Sequence, residues 1–562
     1  MIFNKNIKPP ENITLPEYSP KGMDAGYWIL KRELDKGKDA KILVYYDPDI
    51  DGLFAGLLVE QYLEKLGVRG PNYKYFLNSD RQHGFKLTDN LLAQLKGYTI
   101  VAVDFSITKE EFDRILKAGI NLVNIDHHEI DVHNYTNSDR DFVCSRYNDS
   151  YGVIINNQYA CEPKEFKFLS GAGMVYYFLK YVSRYLHVSL DVDFPAMVGI
   201  TLLSDIRELE SKEARSFLRY TFSSDSEYMK YLQWLVTSEL SAHQRFSPFG
   251  VPCISRDFLD FTFSPVINAM LRANKGYEAL NLLRGNDEAI HYWRDNNTLL
   301  TFRDTQKKII SAIMREVDES ENMPGSLTKK YDNMMVCCLP TTFEPIPGFN
   351  ISNYIGVACS KIKDEDKTGV IFVVDANHIV KRGSVRGGQD GVDYLTIFQN
   401  NGVPSAGHHN AFGILPCDIS KINFDKISKD IEIAEKEAMK NKRNTRSVFE
   451  VRQLDIFVKS PAIKKICKYN SLSRDNHRIY LKFIGDVEDT NRVKPDKVSD
   501  KFTRYMIDNV CVNCYDPSID IKDALILPSL DNNKYVRCTL RPGFEYDSLG
   551  DMVEIQRKLS EI

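Results

Sequence analysis

Asp47, Asp49 and Asp51 stand at alternate positions in the segment KILVYYDPDIDG (residues 41–52), directly after a run of apolar, β-prone residues. Three like charges that close repel one another, and a carboxylate buried without a partner is costly. The spacing therefore implies solvated charges or a bound cation. Further acids occupy comparable places. Asp104 ends YTIVAVD, Asp126 ends NLVNID and is followed at once by His127 and His128, and Asp205 breaks the apolar stretch FPAMVGITLLSDIREL. Each has a bland reading when taken alone: an Asp after a strand is commonly a helix N-cap, and a His pair in a loop is ordinary polar surface. Together, neutral imidazole and carboxylate suit Mn2+, Mg2+ or Zn2+. Four or more acids with histidine can hold two divalent ions about 3.5–4 Å apart, the geometry of phosphoryl transfer from water.

Such a cluster needs elements that bring distant residues together. KILVYYD, YTIVAVD and NLVNID are short, nearly continuous apolar runs of strand length. Helix-like stretches at 53–66 and 108–118 separate them, and an amphipathic helix at 24–38 leads in. This alternation predicts a parallel α/β sheet buried on both faces, whose ligands bind outside the carboxyl ends of the strands. All three runs deliver acids to that edge. GAGMVY (171–176) lacks a third glycine and a preceding strand, so it reads as helix packing rather than a nucleotide loop.

The chain of 562 residues exceeds a single core and implies several domains. Its 43% hydrophobic and 27% charged residues are those of a globular protein. No apolar run reaches the roughly 18–20 residues of a membrane span, and MIFNKNIKPPENITLPEY has no signal-peptide core. Eleven scattered cysteines fit reduced thiols. The expectation is a cytoplasmic chain without membrane contact, and the Asn, Lys and Tyr content suggests a low-GC bacterial or phage source. Cys511 and Cys514 form a CxxC, but Cys538 and His477 do not complete a familiar zinc spacing. The net charge of −4 argues against nucleic acid, whereas its distribution does not. Residues 440–482 carry twelve Lys and Arg against three acids, interleaved with Phe449, Phe457, Tyr469 and Tyr480. That mixture is either a single-strand groove or a solvated face over packed aromatics.

DPDIDG, VDFS, DHH and SDIREL, in that order, resemble the four motifs of the DHH phosphoesterase superfamily. RQHGFKLTDNLLAQL and FSPVINAMLRANKGYEALNLL resemble segments of its RecJ-type single-strand exonucleases, the second through Asn268, Ala269 and Arg272. GFNISNYIGVACSKI, KRGSVRGGQDGVDYL and GVPSAGHHNAFGI (402–414) resemble the accompanying DHHA1 domain. Two departures stand out. Ala406 replaces the first glycine of the Gly-Gly-His motif, and Tyr45 stands where many relatives outside the RecJ group have a histidine, two residues before the first Asp.

The resemblance implies an α/β fold: a parallel-sheet DHH catalytic domain at 1–290, a connecting helix and linker at 291–329, a smaller α/β DHHA1 domain at 330–425, and a basic helix with a β-rich, OB-like domain at 426–562. It implies two Mn2+ or Mg2+ ions held by Asp47, Asp49, Asp51, Asp104, His127 and Asp205, with Asp104 bridging. Asp126 and His128 would orient ligands or assist proton transfer, and Arg386 and His408 would neutralise phosphoryl charge. Asn268, Arg272, Ser384, Gly407 and His409 would contact the substrate. The implied activity is 5′-to-3′ hydrolysis of single-stranded DNA, with single-strand-binding protein or a helicase as possible associates. Oligoribonucleotides or short cyclic nucleotides are alternative substrates, inorganic pyrophosphate a remoter one. A non-catalytic strand-binding scaffold is the alternative class, disfavoured because every expected acid is present.

Overall fold

The computed structural model describes residues 13–548 apart from 69–72, 78–84, 86, 131–141, 208, 210, 225, 238–253, 255, 286–297, 321–327, 364–366, 390, 442–446, 474–477, 500–501, 517, 532–534 and 543–546. The RQHG segment, the 286–297 and 321–327 boundaries, His477 and part of the basic stretch lie outside the described residues. The three apolar runs form β1 (Ile42–Tyr46), β3 (Thr99–Val103) and β4 (Asn121–Asp126). With β2 (Tyr73–Leu77), β5 (Cys144–Tyr147) and β6 (Ser150–Asn156) they make a six-stranded sheet in the order β2-β1-β3-β4-β6-β5. All pairings are parallel except that of β5 with β6.

The register levels the strand ends. Tyr46 pairs with Val103, Val103 with Ile125, and Asp126 with Asn156, so Asp47, Asp104 and Asp126 emerge side by side. Both faces are covered, as unbroken apolar strands require. Ile42, Val44, Tyr46, Val103 and Ile125 pack beneath α1 (Met23–Leu34), α2 (Ile50–Lys65), α5 (Gly171–Leu186) and α6 (Phe194–Ser204). Leu43, Tyr45, Ile100 and Leu122 pack beneath α3 (Asp89–Gln94) and α4 (Lys109–Lys117). Tyr45 stacks on Phe76 and Phe85 in that second core.

The helix Thr298–Ser320 runs to a second sheet and buries Ile309, Ile313 and Val317 against it at helical period. That sheet has the order β11-β12-β10-β9-β8-β7, built from β7 (Lys329–Lys330), β8 (Met334–Pro340), β9 (Thr368–Val374), β10 (Val380–Arg386), β11 (Ser405–His408) and β12 (Ala411–Ile414). The helix Ile355–Lys363 covers one face and Phe424–Asn441 the other.

A third, eight-stranded sheet follows in the order β15-β16-β17-β19-β18-β14-β13-β20. Its strands are β13 (Ser447–Val451), β14 (Ile479–Phe483), β15 (Val493–Ser499), β16 (Phe502–Ile507), β17 (Val510–Cys514), β18 (Leu525–Asp531), β19 (Tyr535–Arg541) and β20 (Asp547–Ser548). It is β-rich as expected, with more than the five strands of an OB barrel. LDIFV (454–458), β-prone in sequence, lies in the helix Leu454–Lys459. The following helix, Pro461–Ser471, turns Lys464, Lys465 and Lys468 outward and buries Tyr469, and Tyr480 is buried in β14. Neither tyrosine is available to stack a base, which corrects the groove reading for these two. Phe449 and Phe457 stack on each other at 5.0 Å beside a cavity that Arg452 and Arg492 also line. Cys511 and Cys514 sit three apart on β17, so their side chains leave opposite faces, one exposed and one buried. They cannot chelate one ion. This sheet is tied back to the first: Leu472 joins the core under α2 and α5, and Arg256 donates to the carbonyls of Ser473 and Asn470.

Candidate metal centre

At the carboxyl edge of the first sheet the predicted acids converge. Asp47, Asp49 and Asp104 form one group whose ligand atoms lie within 4.8 Å of one another; Asp51, His127 and Asp205 form a second, and Asp104, His127 and His128 a third. Each side chain has a distinct local origin. Asp49 is the N-cap of α2 and accepts from the Gly52 amide at 2.9 Å. A Cβ on Gly52 would come within 2.6 Å of the Asp47 carbonyl oxygen, so the glycine after the acidic triplet exists to let the turn close. Asp104 ends β3 in the left-handed region, φ 65°, while its amide still bonds the Ile125 carbonyl. Asp is among the few residues that tolerate this conformation. Asp205 caps the C-terminus of α6.

Asp51 is held by something that residue identity does not reveal. The amides of Gly171 and Ala172, opening α5, donate to its two oxygens at 2.6 and 2.9 Å. The positive end of that helix thus faces a carboxylate. GAGMVY is helix packing, as expected, and also the anchor of a site residue. The signal was Ser170, an N-cap before two small residues, with its hydroxyl receiving the Gly173 amide.

His127 Nε2 lies 3.0 Å from Asp104 Oδ1, 3.7 Å from Asp205 Oδ2 and 3.8 Å from Asp51 Oδ2. Burial, then the charges of His128, Arg207 and His408, hold its imidazole well below the usual range, so it is neutral and able to ligate. Burial and the charges of Asp51, Asp49, Asp47 and Asp205 drive Asp104 well above the usual carboxylate range. Asp51 is raised by burial and by Asp205 and Asp49, against the pull of the two helix amides. Asp104 Oδ1 and His127 Nδ1 are buried without a hydrogen bond. Crowded, repelling carboxylates around a neutral imidazole are what a divalent cation satisfies, so the donor set fits the expected ions.

Asp126 accepts from His128 Nδ1 at 2.7 Å, and Asn156, fully buried, donates to the His128 carbonyl at 2.8 Å. Burial opposes the His128 charge, but Asp126 outweighs it and lifts the imidazole to about 9. His408 stacks on His128 with ring centres 5.4 Å apart, and burial with the neighbouring His128 and Arg207 charges lowers it to about 4. The second sheet therefore meets the first directly over the carboxylates. The register sets Arg386 and His408 level, both paired with Ala411, and Arg386 Nη1 donates to Ser384 Oγ at 3.1 Å. Gly407, at φ 142°, brings its backbone against Phe412, where a Cβ would stand 2.8 Å from Cα. Ala406 is exposed, so its substitution for glycine costs no close approach. His409, read as a substrate contact, bridges the sheets with Nε2 2.7 Å from Glu129 and Nδ1 3.1 Å from Asp393. Arg272 donates to Gln306 on the connecting helix at 2.9 Å, and its carbonyl accepts from Asn353; Asn268 is half-buried on the same helix, Ser264–Arg272. Sequence reasoning missed Asn156, Glu129 and the α5 amides.

Residues 41–200 match the family described as DHH family, N-terminal domain. Over those residues the chain is similar to that domain. Solved structures match beyond it. RecJ from Thermus thermophilus in complex with Mn2+ is 16% identical with a TM-score of 0.60, over 96% of this chain and 74% of that one. The complex of Thermus thermophilus RecJ with Mg2+ is 15% identical with a TM-score of 0.55, over 95% and 72%. An exonuclease RecJ bound to manganese is 16% identical with a TM-score of 0.51, over 75% and 96%. At these identities the likeness is one of fold. No curated protein sequence matches. Among the described residues no helix is long and apolar enough to cross a membrane.

The charge arrangement of this site makes metal-free stability depend on pH. His128 is raised above its unfolded value, so its contribution is full below about pH 6.5 and is lost as pH climbs through about 9. The raised Asp51 and Asp104 likewise lose stability as pH rises. The lowered His408 acts oppositely, but only as pH falls below about 6.5 towards its folded value of about 4. EDTA-treated protein is expected to melt at progressively lower temperature from about pH 6.5 to 9, and Mn2+ to flatten that slope. A flat profile without metal would contradict this charge arrangement.

Proposed function

We propose that the chain is a metal-dependent phosphodiesterase that releases nucleotides from the 5′ end of single-stranded DNA. The observation that carries the reading is the meeting of the acidic edge of the first sheet with His408 of the second, level with which the register sets Arg386. Asp47, Asp49, Asp51, Asp104, His127 and Asp205 would hold two Mn2+ or Mg2+ ions. Bound there, the ions would polarise the phosphoryl group and lower the pKa of the attacking water. Asp126 fixes His128 Nδ1 and keeps the ring charged, which suits it to give a proton to the departing oxygen. His408, stacked on it and neutral, and Arg386 would offer hydrogen bonds to the phosphoryl charge. Asn268 and Arg272, at the junction with the connecting helix, would guide the strand, and Phe449 and Phe457 offer it a stacking surface.

Purified protein with Mn2+ should release mononucleotides from the labelled 5′ end of single-stranded DNA, spare duplex, and lose this in Asp49→Ala/Asp51→Ala. Cleavage confined to RNA or dinucleotides would move the assignment to short-nucleotide turnover. Tight strand binding without hydrolysis in Mn2+ or Mg2+ would leave a scaffold.

A further inference from the structure

Arg207 follows Asp205 by two residues, and the chain bends sharply to bring the pair together. Asp205 closes α6, the Ile206 amide bonds the Leu203 carbonyl, and the Arg207 amide bonds the Leu202 carbonyl. This is a Schellman helix end, whose left-handed residue is ordinarily glycine. Here it is Ile206, at φ 54° and 79% exposed. A β-branched residue there is strained, and such strain persists where the surroundings impose it. The bend returns the Arg207 guanidinium to the acidic edge, where Nε lies 3.8 Å from Asp205 Oδ2. It is braced from behind by the carbonyls of Phe168 at 3.1 Å and Lys167 at 2.7 Å, and its side chain is 17% exposed.

A permanent cation fixed against a ligand opposes a divalent ion on the same ligand. The three ligand groups are not equal in this respect. Arg207 abuts Asp205, which belongs with Asp51 and His127, and its charge also reaches His127 and His408. Among the described residues the ion pair of Arg207 is made to Asp205, in the second of these groups and not in that of Asp47, Asp49 and Asp104.

We propose that Arg207 makes the two metal positions unequal, weakening the Asp51–His127–Asp205 position so that its ion enters together with the phosphoryl group of the bound strand. This rests on the two-ion reading of the site. A phosphate brings the negative charge that Arg207 otherwise offsets, so strand and second ion raise each other's affinity by the same factor. Arg207 is in this sense a positioning residue acting through Asp205. The ordering gives the protein a reason to hold one resident ion and to complete the centre only on substrate.

Calorimetric titration of Mn2+ into the metal-free protein tests this without turnover. The wild type should show one tight and one weaker event, and thymidine 5′-monophosphate, a product mimic, should tighten the weaker. Arg207→Gln should tighten the weaker event about tenfold or more, leave the tight one unchanged, and abolish the effect of the nucleotide. Arg207→Lys keeps the charge without the double brace and should retain the weak event even as its melting temperature falls. Equal affinities in the wild type would overturn the proposal before any variant is made. A second event weakened by Arg207→Gln, or equally altered by Arg207→Lys, would reduce Arg207 to a brace for Lys167 and Phe168. Unequal sites in a protein that cleaves no strand would overturn the phosphodiesterase reading and leave this one standing.

Discussion

Asp104→Asn is expected to abolish hydrolysis and at the same time to stabilise the metal-free protein. Asp104 belongs to two of the three ligand groups, one with Asp47 and Asp49 and one with His127 and His128. Among the described residues no other carboxylate is so shared, so its removal takes a ligand from the Asp47–Asp49 position and leaves His127 of the second position without the carboxylate that lies 3.0 Å from its Nε2. Loss of metal chemistry predicts a fall in kcat of about a thousandfold or more, roughly 4 kcal/mol of transition-state stabilisation. Stability should move the other way. Asp104 is buried, Oδ1 lacks a hydrogen bond, and four neighbouring carboxylates repel its charge. Asparagine is isosteric, tolerates the left-handed backbone at φ 65°, and carries no charge. Relief of this crowding is expected to be about 1–3 kcal/mol in urea melts with EDTA present, and Mn2+, which stabilises the wild type, should no longer do so. Activity within tenfold of wild type, or a metal-free variant less stable than its parent, would show that Asp104 is not the shared ligand.

What the sequence disclosed and what it concealed divide along a physical line. β1, β3 and β4 were legible because strands buried on both faces are written as unbroken apolar runs, and the acids that end them could be read as one edge. The basic, aromatic stretch left two readings open because composition does not show faces: on the helix Pro461–Ser471 Lys464, Lys465 and Lys468 turn outward and Tyr469 inward, which is the solvated-face reading there. LDIFV shows the ambiguity of short apolar runs, for Asp455 and Lys459 pair across one helical turn, which period-two reading cannot register. Asp51 marks the deepest limit. Its partners are main-chain amides, identical in every residue but proline, so only the N-cap serine and the smallness of Gly171 hint at them.

That smallness carries the second large effect. Gly171→Ala lies in a helix, where alanine is ordinarily better than glycine by about 1 kcal/mol, yet here it is expected to destabilise the protein and cripple metal binding. A Cβ at position 171 would stand 2.6 Å from Asp104 Oδ1 and 2.7 Å from its Cβ. Neither party can yield easily. Asp104 is fixed by its left-handed backbone and its bond to the Ile125 carbonyl. The helix is fixed because its first amides hold Asp51, and Ser170 is bonded to Thr201 at 2.7 Å in the core. Overpacking of this kind costs about 1–3 kcal/mol. Displacement of Asp104 should weaken Mn2+ binding at least about a hundredfold, since ligands must meet the ion within a few tenths of an ångström. The discriminating control is Asp104→Gly, which empties the space: in that background Gly171→Ala should become neutral or stabilising, as alanine in a helix normally is. If the clash governs, the two substitutions are strongly non-additive. If Gly171→Ala instead costs the same in both backgrounds, the glycine matters to the helix alone and the site does not depend on it.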